Sequence, residues 1–309
     1  MTTEFNELER KMLQAVADLE ATPTGAYNYR VDGQSRGRAS TAQIEIVTKQ
    51  DQPGIDVIVK PGTKGESVHI PVLLTQSGEH DLVYNDFYIG KGADVTIVAG
   101  CGIDNCGGET AQHDGIHTFH LAAGSQVHYL EKHLGTGIGS GGRVLNPVTN
   151  IEQAADSVFY LETVQLGGVT AAERQTTATL AANAKLHITE RILTTDKQTA
   201  TTNFAVTLAG PGSAVEVSSR SVAKQHSVQK FVANVCGTTR CTGHVSCDGI
   251  MLDQAKIYST PQISAESVDA TLMHEATIGR IAGEQLVKLQ TLGLTAAAAE
   301  DMILQGFLA

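Results

Sequence analysis

Five cysteines occur in the chain, and they form two groups whose spacing allows thiol or metal chemistry. The first group is Cys101 and Cys106, which precede three histidines, and the second is Cys236, Cys241 and Cys247. Thiolates are soft donors that bind zinc or iron–sulfur clusters well, and imidazole is a suitable companion ligand. All five thiols are therefore candidate metal ligands. Neither group has C-x2-C spacing, so burial of chemically idle thiols is the alternative interpretation for each.

Cys247 has two further candidate partners downstream, since His274 and Glu275 follow it at about the length of the repeat described below. In a protein of stacked repeats, residues one repeat apart can become neighbours. We therefore expect a thiol, an imidazole and a carboxylate to converge from adjacent strands. Such a trio could bind a metal, or the histidine and glutamate could lower the thiol pKa or relay protons. An ordinary surface His–Glu pair is the alternative.

A repeated phrase predicts the elements that must position these residues. Residues 87–98 have the form of a short strand, a turn of small residues and a second strand. The phrase returns at residues 119–130 and, more weakly, at 178–188 and 206–217. One such unit cannot bury its apolar face alone, so stacked units must share a continuous core. The loose spacing of roughly 25 to 32 residues favours a mainly β fold of the β-helix (solenoid) type over a β-sandwich.

Both ends of the chain are predicted to be helical. Phe5, Leu8, Met12 and Val16 recur at helical spacing near the N-terminus, and residues 24–38 follow as a linker. Two short helices are expected over residues 283–293 and 296–305. The predicted domains are an N-terminal helix and linker (1–40), a β-helix core (41–275) and a C-terminal helical region (276–309). From the sequence pattern alone, the C-terminal helices are better suited to cap the last stacked repeat (the last rung of the solenoid) than to dock a partner.

Composition and missing motifs exclude several functions. The chain carries 22 basic and 33 acidic residues, and its net charge of −11 disfavours nucleic-acid binding. The start has no apolar signal segment, and no run of about 18 apolar residues occurs, so we expect a cytoplasmic protein without a membrane span. The absence of G-x4-G-K-[ST] predicts that the chain has no Walker A ATP site of its own. A polysaccharide-cleaving β-helix is a minor alternative, which lacks its usual export signal here.

Three phrases near the C-terminus add a further signal. Residues 273–281 contain His-Glu-Ala-Thr, residues 283–294 a Glu-Gln-Leu helix start and a Gly-Leu break, and residues 299–307 a helix ending in Gly-Phe. Together they resemble the closing signature of the SufB/SufD family of iron–sulfur cluster assembly proteins, and the resemblance is specific from Cys247 onward. That family's fold is a right-handed parallel β-helix flanked by helical terminal regions, so the resemblance implies this fold.

The resemblance also implies a function. Family members form a complex with an ABC-type ATPase, SufC, and build nascent iron–sulfur clusters. We therefore expect a scaffold rather than an enzyme, a transient iron–sulfur cluster, and docking of a SufC-type ATPase through the segment from Glu284 to Phe307. Cys247, His274 and Glu275 match the Cys and the His-Glu of SufB-type members, in which the cysteine is a functional thiol. A SufD-like structural subunit without its own cluster is the alternative.

Two departures from the family pattern bear on the expected assembly. The chain is short and lacks the long N-terminal region found in many SufB proteins. Cys236 and Cys241 have no place in the usual pattern. Both departures suit a minimal system in which one SufB-like chain pairs with itself. A homodimer is therefore expected, with a SufB/SufD-type heterodimer as the alternative.

Overall fold

Strands make up most of the chain between two helical ends. The computed structural model describes residues 5–20, 23–165 and 167–309. Its helices are α1 (Glu7–Ala17), α2 (Gly283–Thr291) and α3 (Ala296–Leu308). The strands of the described residues are β1 (Ala26–Val31), β2 (Gln34–Ala39), β3 (Ile44–Thr48), β4 (Gly54–Val59), β5 (Lys64–His69), β6 (Val72–Leu74), β7 (His80–Ile89), β8 (Asp94–Asp104), β9 (Ala111–Leu121), β10 (Gln126–Thr136), β11 (Arg143–Leu145), β12 (Val148–Gln153), β13 (Val158–Gln165), β14 (Ala171–Leu180), β15 (Lys185–Thr194), β16 (Thr199–Leu208), β17 (Ala214–Ala223), β18 (Val228–Gly237), β19 (Cys241–Met251), β20 (Lys256–Ala265) and β21 (Ala270–Gly279).

The strands form two long sheets that share one core. The first sheet has the order β2-β1-β5-β8-β10-β13-β15-β17-β19-β21, with β6 beside β1 and β8. The second sheet has the order β20-β18-β16-β14-β11-β9-β7-β4-β3, with β12 beside β9 and β14. From β7 onward the chain passes back and forth between the sheets, and every neighbouring pair of strands is parallel. This is a β-solenoid of about eight turns, as predicted.

The repeated phrase forms one corner of each rung. Phe87 and Phe119, which begin the first two copies, pair in register and stack with ring centroids 4.4 Å apart. Gly92 and Gly124 occupy the corner itself with φ angles of 65° and 66°. Because an L side chain is strained at such angles, the small residues of the phrase mark the turn. The stacked copies thus build the core, as the sequence predicted.

The N-terminal region contains more β-structure than expected. Helix α1 is present, and its Met12, Leu13 and Val16 pack against the first sheet. Residues 24–38, however, are not a linker, because most of them form the antiparallel hairpin β1–β2. An Asp32-Gly33 turn with positive φ at both residues closes this hairpin. Strand β1 also pairs in parallel with β5 and β6, so the solenoid begins before residue 41.

The C-terminal helices lie beside the solenoid rather than over its end. Helix α3 packs near β17, where Arg220 donates to the backbone oxygens of Phe307 and Ala309. The inward-facing Ile263 of β20, on the last rung, remains 47% exposed. The cap favoured by the sequence pattern is therefore wrong. None of the helices in the described residues has the length and apolar character needed to traverse a lipid bilayer.

Candidate functional site

Cys247 lies inside the solenoid, one rung before the last. Its position in β19 faces inward, and the residue is 1% exposed. Its in-register neighbours are Ser219 on β17 and Ala276 on β21. Burial raises the pKa of the Cys247 thiol to about 11, and the Ser259 hydroxyl offsets only part of this rise. The thiol is therefore neutral near pH 7 and needs a metal or another charge change to become a thiolate.

His274 and Glu275 lie on the adjacent strand but face opposite ways. His274 pairs with the inward-facing Val245, and Glu275 pairs with Ser246 on the outer face. Glu275 Oε2 is instead 3.9 Å from Nε2 of His244, which also faces outward. Successive side chains of a strand alternate between its faces, so consecutive residues cannot both face Cys247. The expected convergence of the trio within one chain is therefore wrong.

The environment of His274 favours its neutral form. Burial lowers the pKa of this imidazole, and the neighbouring His244 lowers it further. The Nε2 atoms of both histidines are shielded from solvent and have no hydrogen-bond partner among the described residues. A neutral imidazole with an unpartnered nitrogen is free to act as a ligand.

The other four cysteines lie apart from Cys247. Cys101 is buried in β8, in register with His133, whereas Cys106 is exposed in the following loop. Cys241 faces the interior at the start of β19, and Cys236 faces outward on β18. Burial raises the pKa of the Cys101, Cys236 and Cys241 thiols. Across residues 5–20, 23–165 and 167–309, no three His, Cys, Asp or Glu side chains come together as a ligand set.

A line of polar residues that was not predicted from the sequence runs inside the solenoid. Glu131, Thr163, Glu190, Ser219 and Cys247 occupy one in-register line of inward positions on successive strands of the first sheet. We call these five residues the interior polar column. All are nearly inaccessible to solvent. Buried polar and charged groups are costly unless paired, so their partners decide whether the column is stable.

Arg174, from the second sheet, is the central partner of this column. Its guanidinium donates to Glu131 and, at 3.1 Å, to Nδ1 of His133, and its Nε lies 3.8 Å from Glu190 Oε1. Burial alone would raise the pKa of Glu131, but Arg174 and then His133 outweigh it and hold this pKa well below the usual range. Burial dominates at Glu190, whose pKa is raised. Ser219 donates a 2.7 Å hydrogen bond to Glu190.

The polar contacts continue away from Cys247 through His117. Its Nδ1 lies 2.6 Å from the Tyr129 hydroxyl, which donates to Glu131, and its Nε2 lies 3.2 Å from Asn85 Nδ2. Burial lowers the pKa of His117 to about 4, so this imidazole is neutral near pH 7. Polar contacts thus link Asn85 to Ser219, the in-register neighbour of Cys247.

The repeat contains a signal that could have revealed the column. Glu131, Glu190 and Ser219 each stand four positions after the inward residue that opens the second strand of a phrase; these opening residues are Val127, Leu186 and Val215. Positions separated by four in a strand share a face. A charged residue at an inward position was therefore visible in the sequence. Its partner Arg174 was not, because it lies 43 residues from Glu131.

Comparison with known proteins identifies the family. Residues 75–307 match the family model described as SUF system FeS cluster assembly, SufBD core domain. An iron–sulfur cluster assembly SufBD family protein of Methanothermobacter thermautotrophicus is 27% identical over 225 residues, 71% of this chain and 53% of the relative. One from Archaeoglobus fulgidus is 25% identical over 264 residues, 84% of this chain and 69% of the relative. The chain spans about half the length of the Methanothermobacter relative. Because the family match covers well over half of it, the chain belongs to the SufBD family.

Proposed function

We propose that the chain is a scaffold subunit for nascent iron–sulfur cluster assembly and works with a SufC-type ABC ATPase. Membership of the SufBD family supports a role in cluster assembly. The observation that carries the scaffold role is the position of Cys247, at the place where the interior polar column meets the uncovered last rung. Only the last rung separates the buried Cys247 thiol from the uncovered end of the solenoid, so a movement of that rung would let the thiol receive sulfur or bind iron supplied from outside.

The remaining ligands are proposed from the last rung. His274 shares the inner face with Cys247, and its unpartnered Nε2 suits it to bind iron. Glu275 is on the outer face, so its proposed contribution to the same cluster requires a second chain or a rearranged last rung. Cys101, Cys106, Cys236 and Cys241 are proposed as sites of sulfur relay or additional ligation. The cluster is the cargo of this reaction, and the chain itself is not proposed to be an enzyme.

Anaerobic reconstitution with iron and sulfide tests the scaffold role. Wild type is expected to develop the absorption and Mössbauer spectra of an iron–sulfur cluster, and Cys247→Ala is expected to lose the cluster or hold it unstably. Thr242→Ala is the matched control, since Thr242 lies on the same strand as Cys247 but its side chain is exposed on the outer face. Clusters of equal stability in wild type and Cys247→Ala would overturn the role of Cys247.

A SufD-like structural subunit is the second candidate. Two observations favour it: the pKa of the Cys247 thiol is raised to about 11, and no ligand set of three converges within the described residues. The reconstitution separates the two functions. A chain that forms no cluster, but still assembles with the ATPase, would be the structural subunit.

We further propose that two copies of the chain meet at the last rung. Within the part of the chain that the structure describes, strands β20 and β21 each have one unpaired edge, since they pair only with β18 and β19 in their sheets. Tyr258, Ile263 and Met273 of these strands are about half exposed. Unpaired edges beside exposed apolar side chains favour strand addition by another chain. A homodimer formed there would place two Cys247 side chains near one interface.

The ATPase is proposed to dock on the segment from Glu284 to Phe307. Helix α2 has no buried residue, and its Val287 is 59% exposed, as is the following Leu292 at 75%. An amphipathic helix with its apolar face uncovered suits the groove of a protein partner.

Light scattering tests both contacts. Wild type is expected to have the mass of a dimer alone and a larger mass with the ATPase. Ile263→Lys should give a monomer, whereas Leu292→Asp should stay dimeric and bind little ATPase. Ile138→Lys is the matched control, because Ile138 is 99% exposed in a loop remote from both surfaces. A wild-type monomer with and without the ATPase would contradict the homodimer.

A further inference from the structure

We infer that the interior of the solenoid binds one water molecule between Thr163 and Gln165 of β13, beside Arg174. This site goes beyond the proposed function, because it involves no cysteine, iron or sulfide. It lies in the core between the two sheets, at the middle of the interior polar column.

A small cavity encloses this position. Its volume is about 10 Å³, and its polar inward-facing lining residues are Thr163, Gln165, Arg174 and Thr202. All four are more than nine-tenths buried. A cavity of about 10–15 Å³ is the smallest that holds a water molecule. The cavity therefore fits one water or one ion of similar size and excludes larger ligands.

Two polar atoms of the lining residues lack a protein partner. Thr163 Oγ1 and Gln165 Nε2 are shielded from solvent and form no hydrogen bond within the described part of the chain. The two residues stand two positions apart on one strand, so their side chains share its inner face. A buried polar group without a partner is destabilising. Because both residues line the same cavity, one ligand there can satisfy both atoms.

The chemistry of the cavity favours a neutral ligand. Gln165 offers amide N–H donors, and Thr163 offers a hydroxyl that can donate or accept. Arg174 excludes a cation, and its own charge is already balanced by Glu131. A buried anion would need a further positive partner to offset its loss of hydration. Water can accept a hydrogen bond from Gln165 and exchange one with Thr163, so it matches the site.

The water completes the hydrogen bonding of the interior polar column. Thr163 lies in register between Glu131 and Glu190. Glu131 pairs with Arg174, and Glu190 accepts a hydrogen bond from Ser219. With the water bound to Thr163, every member of the column from Glu131 to Ser219 has a partner. A fully satisfied polar line of this kind can persist in the core.

Thr163→Val tests the site, because the water decides the sign of its effect. Valine keeps the branched shape of threonine but removes the hydroxyl. With water bound, the variant loses a hydrogen bond, and its folding equilibrium constant is expected to fall by about fivefold. Without a ligand, the variant would lose only an unsatisfied hydroxyl and should be at least as stable as wild type. Urea unfolding of the full chain measures the difference.

Thr176→Val is the matched control. Thr176 is 1% exposed and faces inward on β14, and its Oγ1 also has no partner among the residues that the structure describes. It does not belong to the lining of this cavity. Removal of its hydroxyl is therefore expected to leave the stability unchanged or to raise it.

A crystal structure of wild type grown in bromide identifies the ligand. The expected result is an electron-density peak within hydrogen-bonding distance of Thr163 Oγ1 and Gln165 Nε2, without anomalous scattering from bromide. Four results would overturn the inference: no peak, a bromide signal at the site, no loss of stability in Thr163→Val, or an equal loss in Thr176→Val. Neither experiment contains iron or sulfide, so failure here is distinguishable from failure of cluster assembly at Cys247.

Discussion

Replacing Arg174 with methionine is expected to lower the free energy of unfolding by about 3–5 kcal/mol. Arg174 is buried between Glu131 and Glu190, and it is the main group that keeps the Glu131 carboxylate ionised inside the core. Without the guanidinium, Glu131 must either stay charged and unpaired or take up a proton. Both outcomes cost free energy because water does not reach the carboxylate. Urea unfolding followed by circular dichroism measures the loss.

The control for this prediction is Arg191→Met. Arg191 pairs with Glu162 on the outer face, and both side chains are partly exposed, so its loss should cost at most about 1 kcal/mol. A double variant, Glu131→Gln with Arg174→Met, should be less destabilised than Arg174→Met alone, since the unpaired charge is gone. Equal losses for Arg174→Met and Arg191→Met would show that the interior network does not depend on this ion pair.

Stability is also expected to fall as the pH drops from about 6.5 to about 4, by as much as about 3 kcal/mol from His117. The folded protein holds His117 at a pKa of about 4, below its ordinary value of 6.5, because burial disfavours the charged ring. Between these two values the unfolded chain binds a proton that the folded chain does not. Above pH 6.5 the ring is neutral in both states and does not change the stability. As the pH falls towards 4, the free energy of unfolding decreases, because only the unfolded chain binds the proton.

His117→Gln tests the acid sensitivity. The variant should lose some stability at pH 7, where the contacts to Tyr129 and Asn85 are altered, but its stability should depend less steeply on pH between 6.5 and 4. Burial also lowers the pKa of His133, so part of the wild-type dependence of stability on pH remains in the variant. His120→Gln is the surface control and should keep the wild-type slope. Identical slopes for wild type and His117→Gln would mean that the buried ring takes up its proton without cost.

Much of the architecture was present in local sequence pattern. The copies beginning at Phe87 and Phe119 predicted a solenoid, because alternation and small corner residues act within a dozen positions of one another. The α1 helix was predicted for the same reason, and the closing phrases after Cys247 predicted the family. The β1–β2 hairpin was missed although Asp32-Gly33 marks its turn. The polar sequence of β2 has no apolar alternation, and β1 is placed by its pairing with the later strands β5 and β6.

The sequence by itself determined the repeat, the family and the identity of the candidate groups Cys247, His274 and Glu275. The tertiary structure decided which of them share a face. Rung register puts His274 on the inner side with Cys247 and puts Glu275 on the outer side with His244. Register also brings Arg174 to Glu131. Spacing along the chain gives only the number of residues between two positions. A contact depends on the register of the strands and on the face to which each side chain points, because a shift of one residue moves every side chain of a strand to the opposite face.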